Sequence, residues 1–453
     1  MTPRPLILVV IDGLTPSMLE GAIGAGDTPT LAALAARGSY RRATSVFPSL
    51  TPVCLSSIAT GAHGDIHEIP HLVWYDRRQR RVVEYGSSFG AVRAAGIGQT
   101  LRDTLVNMNG QHLGAGALTL FESLADSGFR TAAVNFTAYR GRTRHRSSLP
   151  FLDDVQGPER FFFYNLFSSD RTGAPLSWRN RPAGSIDAYA TAVGRWLVTR
   201  DAFDFLVFYL SDYDYASHEH GPDTALAALQ QCDAAIRSLA EAGGGVDALL
   251  ERYAVIVMAD HGQTHVRDAA SLGEVYAGVG GVLPLASNRA AHLYLQPDCR
   301  LDPRAVAARL DSVAAAEITL FREGSDAVAR REGEELVFAP AGAGGFTLSG
   351  DASILDHPDA LTRSWAALAN PNAGEILVSA TEGYEFADLG GGTHVGGGSH
   401  GSLVAGDTEV PLLMIGVEGT SGIAKTRSIV GVAPTILSHF GVNAPAYALD
   451  RAA

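Results

Sequence analysis

The sequence has few cysteines, no excess of positive charge and no long apolar run. Its three cysteines, Cys54, Cys232 and Cys299, are far apart and odd in number, which argues against a disulfide framework and a CxxC metal site. The net charge of -13 argues against an overall positively charged surface, so we expect no binding to duplex nucleic acid. No apolar stretch reaches the length of about 18 residues that a membrane span needs, and the N-terminal LILVVI is too short and wrongly flanked for a signal peptide. We therefore expect a cytoplasmic protein without a membrane segment.

The composition is that of a large globular chain rich in glycine. The chain has 453 residues, of which 46% are hydrophobic and 18% are charged, enough for one large α/β domain with insertions or for two domains. Positive charge is concentrated in two runs, Arg77 to Arg81 and Arg140 to Arg146. Each run is either a solvated loop face or a region that steers phosphate towards a site.

Apolar runs and helical segments alternate along the chain. PLILVVI, FDFLVFYL and YAVIVMA are continuous apolar runs, typical of central strands in a parallel sheet that is covered on both faces. The alternation predicts an α/β fold: a mostly parallel central sheet flanked by helices, with loop insertions and a small α+β lobe. The predicted core is 1–289 and 341–453, with insertions around 70–185 and the lobe at 290–340.

Short stretches near the ends of these runs supply three carboxylates, three imidazoles and one hydroxyl. The carboxyl ends of parallel strands share one edge of a sheet, which is where ligands collect. This donor set suits two divalent cations of the zinc or manganese kind, which together can activate a nucleophile and hold a phosphoryl group. The candidate residues are Asp12, Thr51, Asp214, His218, Asp260, His261 and His400.

Two of these stretches have a second interpretation. Asp214 and His218 are four residues apart, so a helix after the strand would turn both towards one ion, but polar loop residues fit the spacing as well. Thr51 begins a helical segment with Pro52 in its first turn. It is either a nucleophile, with the amides of that turn facing a phosphate, or only a helix N-cap.

The histidines leave a choice of ligand. His400 lies in GGGTHVGGGSHGS, where the glycines allow tight turns and close approach of a ligand. His394 in the same segment is a rival for this role, and His265 and His220 lie near the other candidates in sequence.

Taken together, the motifs carry a resemblance to a known family. VVIDG, VFPSLTP followed by SIATGAHGDIH, YLSDYDYASHEHGP, MADHG and GGSHG occur in this order over residues 8 to 403. The chain thereby resembles the alkaline phosphatase superfamily and, more closely, its nucleotide pyrophosphatase/phosphodiesterase branch. The resemblance implies an alkaline phosphatase-like fold and hydrolysis of phosphodiester or pyrophosphate bonds.

The resemblance also implies the roles of individual residues. One metal ion would be bound by Asp12, Thr51, Asp260 and His261, and the other by Asp214, His218 and His400. In the family the threonine attacks phosphorus, a covalent intermediate forms on its hydroxyl, and water then hydrolyses it. The expected cofactors are two divalent ions, zinc first and manganese second. Tyr209 matches an aromatic position on the substrate side, where it would either stack on a base or pack within its strand.

Three positions depart from the family pattern for nucleotides. Pro52 stands where an aromatic residue often stacks on the base, and Cys54 stands where asparagine is common. Leu72 falls near the place of a second asparagine that contacts a non-bridging phosphate oxygen. The expected partner is a small phosphate-ester substrate, with a nucleotide as one candidate, and these departures weaken the case for it.

Other functions on the same fold stay open. The first alternative is a phosphomonoesterase or a phosphonoacetate-type hydrolase; a monoesterase would need additional cations, which the arginine-rich runs could supply. A metal-dependent phosphoglycerate mutase would need a serine nucleophile and a large inserted domain, and a sulfatase would need a C/S-x-P-x-R motif, neither of which the chain has. The last alternative is a non-catalytic binding protein, which would be indicated by the loss of metal ligands.

Overall fold

A computed structural model describes residues 3–150, 152–164, 166–167, 186–419 and 427–449. Residues 168–185, at the end of the predicted insertion, lie outside this part of the chain. Across the described ranges, no helix combines the length and the apolar character needed to cross a membrane.

The strands include long buried runs and short two-residue ribbons. In chain order they are β1 (Leu6–Ile11), β2 (Ser39–Thr44), β3 (Val73–Asp76), β4 (Arg81–Glu84), β5 (Thr131–Val134), β6 (Thr143–His145), β7 (Val155–Gly157), β8 (Arg160–Phe162), β9 (Phe205–Leu210), β10 (Ala254–Met258), β11 (Thr264–His265), β12 (Asp268–Ala270), β13 (Val282–Ser287), β14 (Ala290–Leu295), β15 (Ala316–Glu323), β16 (Asp326–Arg331), β17 (Glu334–Pro340), β18 (Phe346–Gly350), β19 (Ile376–Ala380), β20 (Tyr384–Phe386), β21 (Gly398–Ser399) and β22 (Glu409–Ile415).

The helices range from single turns to the 17 residues of Leu226–Ala242. They are α1 (Pro16–Ala25), α2 (Pro29–Ala35), α3 (Thr51–Thr60), α4 (Gly64–His67), α5 (Phe89–Ala95), α6 (Ile97–Arg102), α7 (Leu120–Asp126), α8 (Ile186–Val198), α9 (Asp212–His220), α10 (Leu226–Ala242), α11 (Val246–Arg252), α12 (Leu272–Val275), α13 (Pro303–Ala307), α14 (Ala360–Leu368), α15 (Ala405–Thr408), α16 (Val432–His439) and α17 (Ala446–Leu449). A π-helix, Asp103–His112, continues α6.

The central sheet has seven strands in the order β2-β22-β10-β1-β9-β5-β8. Only β22 runs against the others, so the sheet is mostly parallel, as the sequence predicts. Every residue of β1, β9 and β10 is buried, because helices cover both faces of the sheet. The α/β fold is therefore confirmed.

A second sheet of seven antiparallel strands packs beside the first, in the order β13-β14-β19-β15-β16-β17-β18. It reaches outside the predicted lobe at 290–340 on both sides, from Val282 to Ala380. β19 lies between β14 and β15 although it is far from both in sequence, and no local pattern marks such a long-range pairing. The predicted domain division stays a prediction.

The segment predicted as insertion contributes to the core. β5 and β8, at residues 131–134 and 160–162, are strands of the central sheet, and Asn135 N–H continues the pairing by donating to the Phe162 carbonyl at 2.9 Å. The described part of the segment also contains the β3–β4 hairpin and the π-helix.

The N-terminal amides of α2 are capped by a side chain from another helix. Thr28 occupies the N-cap position, but its side chain makes no capping hydrogen bond. The Asp233 carboxylate on α10 accepts from the amides of Thr30 and Leu31 instead, at 3.3 and 2.7 Å. A carboxylate from a neighbouring helix thus satisfies the N-terminal amides of α2 and joins the two helices.

Candidate metal centre

The candidate residues meet at one edge of the central sheet. Asp12 directly follows β1, Asp260 and His261 follow the neighbouring β10, and Asp214 lies on α9, the helix that begins after β9. These are the three adjacent central strands, and their carboxyl ends meet there. The short β11–β21 ribbon brings the loop with His400 to the same edge.

Two groups of three side chains have donor atoms close enough to share one ion each. Asp12, Asp260 and His261 form the Asp12 group, and Asp214, His261 and His400 form the Asp214 group; all five residues are buried. His261 belongs to both groups, so the two groups share a side chain. His218 is in neither, although its Nε2 lies 3.3 Å from Asp214 Oδ2.

The three candidate histidines turn the same ring atom towards the carboxylates. Nδ1 of His218, His261 and His400 lies 2.8, 3.0 and 2.8 Å from the carbonyls of Gly398, Gly262 and Ser49. A proton on Nδ1 that is held by a carbonyl leaves Nε2 free, which is the arrangement found around histidines that bind metal.

One oxygen of each carboxylate in the Asp12 group lacks a hydrogen-bond partner among the described residues. These oxygens, Asp12 Oδ1 and Asp260 Oδ2, are shielded from solvent. His261 Nε2 lies 3.3 and 3.5 Å from Asp12 Oδ1 and Asp260 Oδ2. Buried carboxylate oxygens without partners fit divalent cations, which accept oxygen and imidazole ligands together.

The electrostatics of the groups point the same way. Burial, followed by the charge of Asp214, raises the pKa of Asp12, and burial, followed by the charge of Asp12, raises the pKa of Asp260. Burial lowers the pKa of His261, but Asp260, Asp12 and Asp214 outweigh it and raise the value to about 10. Burial also raises the pKa of Asp214, but the charges of His218, His400 and His261 outweigh burial and lower it. The deficit of positive charge therefore falls on Asp12 and Asp260, where a cation would correct it.

Thr51 lies beside the Asp12 group. Its Oγ1 is 3.1 Å from His261 Nε2, and it is the first residue of α3, with Leu50 as the N-cap, so Thr51 is not the cap. The expected phosphate-facing amides are otherwise engaged: the N–H groups of Val53 and Cys54 both donate to the Leu50 carbonyl at 2.9 Å, and Pro52 has none. The hydroxyl, not the helix terminus, is therefore the group that Thr51 offers to the site.

Neighbouring side chains hold the carboxylates in place. The Tyr209 hydroxyl donates to Asp12 Oδ2, and Tyr209 is only 5% exposed, so its polar end serves a candidate ligand. Gln263 Nε2 donates to Asp214 Oδ1. Gly13, at φ 70°, allows the close approach, because a Cβ there would lie 2.7 Å from Asp214 Oδ1.

The rival histidines lie outside both groups. His394 is held by Glu385, with Nδ1 3.0 Å from Oε2, and its ring packs on the outer side of His218 at 4.2 Å between centroids. His265 is exposed on β11, and His220 is exposed at the end of α9. His400 is buried, and Asn288 Nδ2 lies 3.0 Å from its Nε2.

A cavity of about 330 Å³ opens onto the candidate ligands. Thr51, Asp12, Asp214, His218 and His400 lie on its floor side, and aromatic rings form much of its wall. Sequence reasoning missed two polar residues of this lining, Asn135 and Asn288, because no family motif includes them. It also missed Gln263 beside Asp214, although Gln263 directly follows MADHG. The lining residues beyond the candidates include Leu72, Tyr85, Met108, Asn135, Phe163, Tyr164, Tyr215 and Asn288.

The arginine-rich runs do not reach this cavity. Arg77 pairs with Glu375, Arg81 with the buried Asp103, and Arg140 with Glu122. Arg142 and Arg144 form ion pairs with carboxylates of the same insert. Among the described residues, no arginine or lysine lines the cavity.

Comparisons with known proteins identify the family and the fold. The family model for type I phosphodiesterase / nucleotide pyrophosphatase matches residues 6–403. In fold, the chain is similar to phosphonoacetate hydrolase from Sinorhizobium meliloti 1021, in complex with phosphonoformate or phosphonoacetate, with 18% identity, a TM-score of 0.62, and coverage of 97% of this chain and 96% of that one.

It is also similar to ectonucleotide pyrophosphatase / phosphodiesterase 5. The human protein shares 14% identity at a TM-score of 0.63, and the murine protein 13% at 0.62; each comparison covers 98% of this chain and 96% of the other. One murine structure is of an inactive variant in complex with AMP. With the family model covering most of its length, the chain belongs to the type I phosphodiesterase / nucleotide pyrophosphatase family and is a hydrolase acting on phosphoric ester bonds.

Proposed function

We propose that the protein hydrolyses phosphodiester or pyrophosphate bonds at a site with two divalent metal ions, with Thr51 as the nucleophile. The observation that carries the proposal is the Thr51 hydroxyl beside two groups of buried metal-ligand side chains, 3.1 Å from the His261 ring nitrogen that both groups share. A threonine hydroxyl is a poor nucleophile at neutral pH and needs such a setting to react.

The ligand assignment rests on the donor set. Asp12, Asp260, His261 and Thr51 would hold one ion, and Asp214, His218 and His400 would hold the other. Oxygen and imidazole donors favour zinc, with manganese as the second candidate. Two such ions supply activation of the attacking hydroxyl and of water, and stabilise charge on the phosphoryl oxygens.

The protein's own residues provide the nucleophile and its position. Thr51 Oγ1 forms a bond to phosphorus as the bond to the leaving oxygen breaks, and the phosphoryl group passes to the threonine. Water then attacks the phosphothreonine, which restores the hydroxyl and releases the second product. Tyr209 keeps Asp12 oriented through its hydroxyl, and Gln263 does the same for Asp214.

Charge at the cavity favours a diester over a monoester. A phosphomonoester is doubly charged at neutral pH and needs cationic groups beyond the metal ions, whereas a diester carries one charge. The cavity wall has no arginine or lysine among the described residues, and the arginine-rich runs are paired elsewhere. The same lack of cations disfavours phosphonoacetate, whose carboxylate adds another negative charge.

A nucleotide is the natural first class of substrate to test. AMP is bound by a structural neighbour, and the cavity here has aromatic walls that include Tyr85 and Tyr164. Against this, Pro52 lines the cavity where an aromatic residue is common in nucleotide-cleaving relatives. The phosphodiester chemistry is the proposal, and the nucleotide is one substrate within it.

The test is a paired assay on metal-replete protein. We expect bis(p-nitrophenyl) phosphate to be hydrolysed well above p-nitrophenyl phosphate, activity to vanish with chelator, and zinc or manganese to restore it. Thr51→Ala should keep its metal and lose activity by about 10³-fold or more. Preference for the monoester would move the assignment to a phosphatase. Turnover by protein verified as metal-free, or near-normal turnover by Thr51→Ala, would refute the mechanism.

A further inference from the structure

Asn135 is a buried amide at the candidate site that no described residue satisfies. It directly follows β5, is 2% exposed and lines the same cavity as the candidate ligands. Both polar atoms of its side chain, Oδ1 and Nδ2, are shielded from solvent and have no hydrogen-bond partner within the described ranges. Buried side-chain amides are almost always paired, and a group that binds in the cavity would supply the partner.

The sheet explains why the amide reaches the site. The strand order places β10, β1, β9 and β5 side by side, and the first three deliver Asp260, Asp12 and Asp214 at their carboxyl ends. Asn135 holds the corresponding place on the fourth strand, and its backbone is fixed by the hydrogen bond to the Phe162 carbonyl. The site edge therefore presents carboxylates on three strands and one amide on the next.

A purely conformational role does not account for this residue. Asn135 has φ 58°, and asparagine is among the residues that tolerate the left-handed region best. An asparagine chosen only for its backbone normally bonds to nearby main-chain groups, as in an Asx-turn, or lies in solvent. Here the side chain does neither, and its amide is left for a ligand.

We propose that the Asn135 side chain donates a hydrogen bond from Nδ2 to a non-bridging oxygen of the phosphoryl group that Thr51 attacks. The inference rests on the proposed function. Related enzymes place an asparagine for such a contact near position 72, where this chain has Leu72, an apolar residue of the same cavity. The amide from β5 supplies the donor from a different strand.

The first experiment compares Asn135→Gly and Asn135→Asp with the parent protein. Glycine adopts a positive φ more readily than asparagine, so Asn135→Gly removes the amide while the backbone stays favourable. We expect zinc content and the melting temperature to hold, and kcat/KM for bis(p-nitrophenyl) phosphate to fall by about 10²-fold, as for the loss of an oxyanion donor. Asn135→Asp, which places a carboxylate against the phosphoryl oxygen, should lose more.

A matched control separates the amide from the backbone change. Glu332, at φ 52° in the exposed β16–β17 turn, is far from the site in the second sheet. Glu332→Gly makes the same kind of substitution and should leave kcat/KM unchanged. Parent-like kcat/KM in Asn135→Gly, with metal bound, would overturn the inference while leaving the proposed function intact.

A second experiment identifies the atom that Asn135 contacts. A nucleoside phosphorothioate diester with two different ester groups exists as two diastereomers, which differ in whether sulfur or oxygen faces the amide. Sulfur accepts hydrogen bonds poorly. We expect Asn135→Gly to lower kcat/KM strongly for one diastereomer and little for the other. An equal loss on both would overturn the contact to a single oxygen.

Binding of inorganic phosphate keeps the test independent of turnover. Measured by calorimetry on zinc-loaded protein, its dissociation constant should rise about 10-fold in Asn135→Gly, because one charge-assisted hydrogen bond is lost. An unchanged constant would overturn the inference even if the parent protein hydrolyses no diester, and in that case the lack of turnover would count separately against the proposed function.

Discussion

The two ligand groups at the site are built in different ways. The Asp12 group follows the ends of two buried strands. One oxygen of each of its carboxylates accepts a hydrogen bond, from Tyr209 or from Gly13 N–H, and the other has no partner among the described residues. The Asp214 group is carried by a helix and a glycine-rich loop, and its carboxylate receives a hydrogen bond from Gln263 and a contact from His218. The Asp12 group is therefore rigid but electrostatically incomplete, whereas the Asp214 group is more nearly satisfied by the protein itself.

The difference bears on how strongly each group depends on a cation. A buried charge without a partner destabilises the fold, and removing that charge can be neutral or favourable. A buried charge that already has hydrogen bonds stabilises its partners, and removing it leaves them unpaired. The same substitution, aspartate to asparagine, should thus have different effects in the two groups.

The largest effect is expected for Asp260→Asn. Residues that merely orient a metal ligand carry about 10- to 100-fold in metal affinity, so loss of a ligand should exceed that. We expect zinc bound per chain to fall from two towards one and activity to fall with it. In metal-free protein, however, the melting temperature should rise, because the variant lacks one of the buried carboxylates whose charges oppose each other. Metal analysis and calorimetry with and without chelator measure both.

Asp214→Asn is the matched control for that prediction. It too should lower zinc occupancy, but the melting temperature of the metal-free protein should not rise, because Gln263 and His218 lose the carboxylate that they contact. Equal changes in the metal-free melting temperatures of the two variants would contradict the contrast between the groups.

His218→Ala should have a smaller effect on metal binding than either aspartate change. His218 contacts Asp214 at 3.3 Å but belongs to neither close group, so most of the ligand set remains. We expect zinc affinity to fall about 10-fold at one of the two sites, because Asp214 and His400 remain to hold that ion. Titration of zinc against a competing chelator gives the two affinities separately.

His394→Ala is the control that separates the neighbouring histidines. Its ring packs against His218, but its Nδ1 is engaged by the buried Glu385, so zinc affinity should change little. A greater loss in His394→Ala than in His218→Ala would mean that His394 is the ligand.

Strand-end placement made much of the site predictable from the sequence. Asp12, Asp214 and Asp260 follow continuous apolar runs, and the alternation with helices predicts that the runs are parallel neighbours. The same rule applies to Asn135, which follows the short apolar run TAAV. An uncharged amide does not indicate a metal site as a carboxylate does, so its place at the strand end is the only feature of the sequence that predicts a role for Asn135.

Other features depend on contacts between distant parts of the chain. The second sheet places β19 between β14 and β15, and nothing local in residues 376–380 marks that pairing. The acceptor that caps α2 is Asp233, about two hundred residues away, and no local pattern around Thr28 indicates it. The position of Thr51 at the start of a helix predicts that the first-turn amides face a phosphate. In the structure, two of these amides donate to the Leu50 carbonyl instead.

The smallest expected effect belongs to Tyr209→Phe, which tests what holds the Asp12 group in position. The change removes only the hydroxyl that donates to Asp12 and leaves the ring packed in β9. If the hydroxyl positions the carboxylate, zinc affinity should fall by up to about 10-fold, with the same relative loss of kcat/KM on a nucleotide diester and on bis(p-nitrophenyl) phosphate.

The competing role for Tyr209 gives the opposite pattern. A ring that stacks on a base would be preserved in Tyr209→Phe, so zinc affinity and both activities would stay at parent levels, and only Tyr209→Leu would lose activity, on the nucleotide alone. The 5% exposure of Tyr209 argues for the first outcome, because a ring enclosed in the sheet has little face to offer a base, while its hydroxyl already contacts the carboxylate. Equal losses on both substrates would therefore assign Tyr209 to the metal side of the site, within the group that the protein leaves incomplete.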